Sequence, residues 1–454
     1  MSDALLPQAS VERVDEQVDS PADIAARAGP SHEAVRRVSP VSVADWPNSP
    51  VAMVFTPRGE RPYDPHMQVT KKALEQHIAV FGEGGSGKTV MLSSFYGATQ
   101  EPQHVQKSLF HVVADDMGQG TRLHRNYLGM RESARVPATT HFASTSYSFS
   151  VRLKDGSDAK ANKAKPFDVL RLVWHDYPGE WFEQGVSGPE EAQRRVDAFI
   201  SLLGSDVALL LVDGQRLLDN AGEEERYLKS LLANFRNGLL SLKGDLLKDG
   251  KPLVDFPRIW IMALSKSDLL PEMDVFGFRD LLVEKAGDDL VEFREVIAGL
   301  VEADDALSVG EDFVLLSSAQ FGAERIEVTK RVGLELILPL AAMLPFERHV
   351  RWAQLKNIPA KVAESLLVGA GALSAALLGN KIKLAGPAGV LRNLVSLVLS
   401  KEVLNEAVKV TGGKLKNLNS EAMAKQNYLA ATLTRFRMDL DRGEEEKVLL
   451  RSAK

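Results

Sequence analysis

The chain contains no cysteine, which excludes disulfides, thiolate nucleophiles and Cys-ligated zinc and suits a reducing compartment. It has no surplus of positive charge: 55 Lys and Arg stand against 61 Asp and Glu, a formal net charge of −6. Nucleic-acid binding draws on surplus cations, so no nucleic-acid partner is expected. The 9 histidines are scattered, with no pair at a helical or finger-like ligand spacing, and no transition-metal site is expected. No uninterrupted apolar run reaches the ~18 residues of a spanning helix. The first residues, MSDALLPQASVERVDEQ, lack the basic start and apolar run of a secretory signal. No repeat of fixed period is present. A soluble cytoplasmic protein is the resulting expectation.

What is present is enough apolar residue, 44% of 454, to bury a large core in two or three domains. Residues 1–48 are rich in Pro, Ser, Asp, Glu and Ala and read as a disordered arm. From residue 49 to 345 short apolar runs alternate with helical patterns. QHIAVFG, SLFHVVADD, DVLRLVWHD, DVALLLVDG, RIWIMALSK and DFVLLSSA read as parallel strands buried on both faces. Stretches such as EEERYLKSLLANFRNGLLSL separate them, so the expected fold class is α/β, a doubly wound, mostly parallel sheet. STSYSFSVRL alternates polar and apolar and suits an antiparallel edge strand. The stretches from Glu101 to Val136 and from Leu270 to Gly310 read as surface insertions. After Pro345 the strand signals stop, and residues 346–454 read as an all-helical domain with a charged tail.

Chemistry is concentrated at the strand ends. GEGGSGKT, Gly82 to Thr89, matches the P-loop pattern at every fixed position, after a strand and before a helix. Gly82, Gly84, Gly85 and Gly87 let backbone N–H groups, with those of Glu83 and Ser86, close around phosphate oxygens. The new helix aims its positive end at the same phosphates. Lys88 is placed to bridge the β- and γ-phosphates, and the Thr89 hydroxyl to ligate Mg²⁺.

Further along, DVLRLVWHD ends in Asp176, and Gly179 follows in DYPGEW. Asp176 suits a Walker-B acid holding Mg²⁺. Gly179 suits an N–H donor to the γ-phosphate that is released on hydrolysis; an ordinary strand-end turn fits the same D-x-P-G. In WIMALSKSD, Ser265, Lys266 and Asp268 stand at another strand end, and DFVLLSSAQ ends in Ser318, Ala319 and Gln320.

These motifs, in this order, resemble the GTPases of the TRAFAC class of P-loop proteins, whose base-specificity element is Asn- or Thr-Lys-x-Asp followed by a Ser-Ala-Lys loop. The resemblance implies that Asp268 accepts two hydrogen bonds from guanine, that Lys266 lies along the base, and that the backbone of Ala319 backs it. Ser265 and Gln320 depart from the family's Asn and Lys. DYPGEW is similar to the YcjX-like bacterial proteins, and the large inserts to double-GTPase-like bacterial relatives. A further Mg²⁺ ligand of the first mobile loop belongs just before STSYSFSVRL, where Thr140, or its neighbour Thr139, stands. Family members often orient the attacking water with a Gln after the D-x-x-G glycine; this chain has Glu180 there. The implied activity is slow GTP hydrolysis with Mg²⁺, aided by a partner-supplied arginine, in a molecular switch.

Two other readings stay open. Asp115 or Asp116, ending SLFHVVADD, would serve a P-loop ATPase, with Asp213 a structural strand-end acid. Residues 362–379 and 384–400 are nearly apolar and rich in small residues, though Glu364, Lys381, Lys383 and Arg392 interrupt them. They suit either a core or self-association surface within 346–454, receiving a protein partner, or a hairpin dipping into a bilayer, as in a membrane-associated, GTP-dependent scaffold.

Overall fold

A computed structural model of the chain describes residues 74–108, 110–137, 145–153, 168–176, 179, 188–247, 250–254, 256–322, 325–353, 355, 357–363, 365–366 and 421–452. The N-terminal arm, Thr139, Thr140, Glu180 and nearly all of residues 362–400 lie outside the described residues.

Eight strands form one sheet in the order β10-β7-β6-β5-β1-β4-β3-β2. The central strands are β1 (Leu74–Phe81), β4 (Asp168–Asp176), β5 (Val207–Asp213), β6 (Ile259–Ser265) and β7 (Ser308–Leu315). All pair in parallel. Every residue of β5 and β6 is buried, because helices cover both faces and leave no polar side to the strand. The fold is the expected α/β class.

One face carries Ile78, Val80, Leu172, Trp174 and Leu209 against α1 (Lys88–Gln100), α8 (Ile337–Trp352) and α9 (Glu421–Glu445). The other carries Ala79, Phe81, Leu210, Trp260 and Met262 against α4 (Pro189–Leu202), α6 (Glu224–Leu246) and α7 (Val275–Ala298). Phe81 and Trp260 stack at 5.2 Å between ring centroids, with Phe293 of α7 edge-on to Trp260. The segment from Leu270 to Gly310, expected as a surface insertion, therefore belongs to the core: Phe278, Leu282 and Phe293 of α7 are fully buried.

Three strand expectations are corrected. β2 (Phe110–Ala114) is an edge strand paired antiparallel to β3, with the alternating burial of a half-covered strand rather than burial on both faces. β3 (Thr145–Leu153) is antiparallel as expected but interior, between β2 and β4. Between β1 and β3, α2 (Pro102–Lys107) precedes β2 and α3 (Met117–Ser133) follows it. The strands also do not end at Pro345. That proline lies inside α8, and β10 (Leu449–Leu450) pairs antiparallel with β7. The expected division between residues 345 and 346 thus falls within a helix that is buried all round. Arg348 of α8 and Asp312 of β7 form a buried ion pair at 2.6 Å, and the same carboxylate accepts from the Ser452 N–H at 2.9 Å.

Candidate nucleotide site

The parallel strands end along one edge, the place where an open α/β sheet binds its ligands. β1 delivers the loop Gly82–Gly87 there. Gly85 and Gly87 take φ of 79° and 90°, a region side chains resist, and Gly87 caps α1 without a side-chain bond. A Cβ at Gly82 would stand 2.6 Å from Ser86 Oγ. Ser86 Oγ is itself buried with no hydrogen-bond partner among the described residues, an orphan donor facing no protein acceptor. Lys88 Nζ lies along the loop and donates to the carbonyls of Gly82 (2.7 Å) and Glu83 (3.0 Å). The loop is a nest with its cation held ready beside it.

Asp176, buried at the end of β4, is in register with Val80 of β1, two residues before the loop. Thr89 follows Lys88 in the first turn of α1. A hydroxyl and a carboxylate on adjacent elements beside a phosphate nest are hard oxygen donors, and they fit a Mg²⁺ that completes its shell with phosphate and water. Among the described residues no group of three or more His, Cys, Asp or Glu could hold a metal by itself. Gly179 then brings the chain back onto the loop: a Cβ there would be 2.3 Å from both Glu83 C and Gly84 N. No other residue fits so close an approach.

The acids at the end of β2 are elsewhere. β2 is three strands from β1, ~14 Å at the usual strand spacing. Asp115 is engaged by Arg171 Nε (2.7 Å) and Ser150 Oγ (2.7 Å), and Asp116 caps α3 through Gln119 N. This geometry places neither Asp115 nor Asp116, the Walker-B acids of the ATPase reading, beside the loop.

On the other side of the loop, Lys266 takes a left-handed conformation (φ 53°) and its Nζ donates to Asp213 Oδ2 at 2.8 Å. Asp213 also accepts from Gln215 N at 2.9 Å, capping the short helix α5 (Gly214–Asp219). Gly214 lets this turn press on the turn after β6, since a Cβ there would be 2.8 Å from Ser265 O. Ser265 Oγ donates to Val212 O at 3.3 Å, tying β6 to β5. Asp268 sits in a single 3₁₀ turn, and its Oδ1 accepts from Ser317 Oγ at 2.7 Å.

Gly85, Gly87, Lys266, Asp268, Ser318 and Phe321 line one cavity of about 350 Å³. The glycine-rich loop and the residues after β6 and β7 therefore share a single hollow. A larger cavity of about 660 Å³, between α1, α2 and α9, holds none of these motifs.

Of the Ser-Ala-Gln loop, only Ser318 borders the hollow. Ala319 is fully buried with Tyr127, Met130, Ile326 and Val328, and Gln320 is exposed in β8 (Gln320–Phe321), which pairs with β9 (Ile326–Glu327). Of the three residues it is thus Ser318, beside the buried Ala319, that lines the hollow.

Ser317 and Arg216 do not stand out in the sequence. Arg216 of α5 reaches the loop, with Nη1 2.8 Å from Glu83 Oε2 and Nη2 donating to Gly84 O at 3.2 Å. The doublet Ser317-Ser318 was the available signal for the first; for the second it was a cation in the turn that follows DVALLLVDG.

No relative matches among curated proteins. A solved structure of Roco2 RocCORdC from Methanosarcina barkeri, bound to GDP, is 12% identical and covers 82% of this chain and 92% of that one, at a TM-score of 0.21. At that similarity it bears no weight in the reading. The profile of the Double-GTPase 2 family matches residues 76–305, which hold the P-loop, Asp176, Gly179, Lys266 and Asp268. Spanning just over half of the sequence, that match shows that the chain belongs to the Double-GTPase 2 family.

Proposed function

We propose that the protein binds GTP with Mg²⁺ at the edge of its sheet and hydrolyses it slowly as a molecular switch. The observation that carries this is the shared cavity, with glycines of the phosphate loop on one wall and Lys266, Asp268 and Ser318 on another. The hydrogen bond from Ser317 Oγ that holds the Asp268 carboxylate at 2.7 Å supports a role in accepting the paired N–H donors of guanine. Adenine offers no such pair, and leaving a carboxylate unmatched is costly enough to discriminate strongly. Lys88 grips the β- and γ-phosphates, Thr89 and Asp176 hold the Mg²⁺ that offsets phosphate charge, and Gly179 senses the γ-phosphate from its seat on the loop.

Release of the loops around Thr140 and Gly179 on hydrolysis would pass to a partner, or to a second copy of the chain, through residues 346–454. Glu180 is the candidate for orienting water. Support for that output route is the joining of α9 and β10 to the sheet that carries the site. Among the described residues no helix is long and apolar enough to cross a membrane.

Equilibrium binding of GTP, GDP and ATP tests the assignment. GTP and GDP are expected to bind at least 10²-fold tighter than ATP, by analogy with sites that hydrogen-bond their substrate. Asp268→Ala is expected to abolish that preference, and Lys88→Ala to weaken triphosphate binding of either base. Preference for ATP by the wild type would overturn the reading.

A further inference from the structure

Glu83 is an unusual residue for its place. It is the second residue of the phosphate loop, and its side chain is only 6% exposed. A buried carboxylate beside a polyanion repels it unless a cation stands between them. Here the cation is Arg216, in the first turn of α5, directly after the strand end Asp213. Its guanidinium spans two points of the loop, the Glu83 carboxylate at 2.8 Å and the Gly84 carbonyl at 3.2 Å. The planar fork is thus aimed by two partners rather than one.

The location of that grip is informative. The Glu83–Gly84 peptide is also where Gly179 packs, with no room for so much as a methyl group. Gly179 is the residue expected at the γ-phosphate. The same peptide is therefore touched by the γ-phosphate sensor and by Arg216, which puts the guanidinium at the γ end of the loop. α5 is also held from behind. Asp213 caps it, Lys266 grips Asp213, and the Asp213 N–H donates to Tyr227 OH at 2.9 Å. The arginine stands on a fixed base.

We propose that Arg216 is the chain's own catalytic arginine, supplied in cis, in place of one brought by a partner. This rests on the GTPase reading above. In hydrolysis, water attacks the γ-phosphorus while the bond to the β,γ-bridging oxygen breaks. Its electron pair goes to that oxygen, the products are GDP and inorganic phosphate, and the water's proton ends on phosphate. Charge grows on the bridging and γ-oxygens as that bond lengthens, and an arginine there stabilises the transition state more than the bound substrate. Glu83 and the Gly84 carbonyl hold the guanidinium within reach and neutralise it until the triphosphate enters.

The test uses the full chain with no added partner. Three readouts are measured on wild type, Arg216→Ala and Arg216→Lys: GDP affinity, single-turnover GTP hydrolysis, and trapping of GDP with aluminium fluoride, a mimic of the transferring phosphoryl group. Wild type is expected to trap aluminium fluoride unaided. Arg216→Ala is expected to keep GDP affinity within about threefold, lose about 10²-fold or more in hydrolysis, and lose trapping. Arg216→Lys, which keeps the charge and the fold but not the fork, is expected to stay at least tenfold slow, and free guanidine to restore part of the Ala variant's rate. Hydrolysis by Arg216→Ala at the wild-type rate would overturn the proposal. So would a fall in GDP affinity by the same factor as the rate, which would make Arg216 a brace for the loop. Wild type that binds GTP but needs a second protein to trap aluminium fluoride overturns it as well. Wild type that fails to bind GTP at all overturns the GTPase reading itself.

Discussion

Asp268 accepts from a hydroxyl 49 residues away, and if Asp268 reads the base as proposed, this pairing sets how firmly it does so. Removing it by Ser317→Ala leaves the carboxylate in place but free to turn. A hydrogen bond to a charged acceptor contributes roughly 1.5–3 kcal/mol, so guanine nucleotides are expected to bind about tenfold more weakly or worse, with ATP affinity unchanged. Isothermal titration on the variant checks this, and equal losses for GTP and ATP would mean that Ser317 only supports the fold. At this scale legibility was uneven. The phosphate loop is contiguous, so Gly82 to Thr89 could be read directly. The partners Ser317 and Arg216 could not, because they meet their targets only after β5, β6 and β7 have been laid side by side. That Ser318 rather than Ala319 lines the hollow is not legible either. Where β7 ends decides which of three small residues faces the hollow, and SSA carries no mark of that point.

At the level of elements, α8 is tied to the sheet by charge as well as by apolar packing. The Arg348–Asp312 pair is almost wholly shielded from water, and Ser308 Oγ and the Ser452 N–H complete the Asp312 shell. Breaking a buried pair from one side leaves the other charge stranded, at about 3–5 kcal/mol. Arg348→Ala is therefore expected to lower stability by that order and to loosen β10, since Arg348 also donates to Ser452 O. Urea unfolding with limited proteolysis measures both effects; wild-type stability in the variant would show that water reaches Asp312 after all. The strand-helix alternation of the core was plain from its apolar runs. The order of β2 and β3 was not, because alternation says that one face is polar without saying whether a neighbour lies beyond. Two residues, Leu449 and Leu450, are too few to announce a strand.

For the molecule as a whole, buried titratable groups set a pH dependence. Burial holds both His175 and His349 down to about 4, with His77 opposing charge on the first and Arg258 on the second. His175 also meets Ser146 Oγ at 2.8 Å and His77 Nδ1 at 2.9 Å. In the unfolded chain both histidines take protons near 6.5, so the unfolded state binds more protons below that pH and stability falls as pH drops from about 6.5. Asp206, pushed up to about 6 by burial, takes its proton earlier in the folded state and offsets one histidine below that point. The net expectation is a plateau above pH 7, then a fall approaching 1.4 kcal/mol per pH unit between about 6 and 5. Chemical denaturation at pH 7.5, 6.5, 6 and 5 tests it, and His349→Gln is expected to flatten the slope. A stability that rose on acidification would reverse the sign argued here.

The pairing of β10 with β7 also has a bearing on how the protein is made. A ribosome completes β7, with its hydrogen-bonding edge, well before residues 449 and 450 exist to cover it. Before residues 449 and 450 are made, this border of β7 lacks the strand that pairs with it, and an unpaired strand border invites pairing with a stranger. The sheet therefore closes on this side only once β10 has been added, and until then this border is where mispairing is most to be expected.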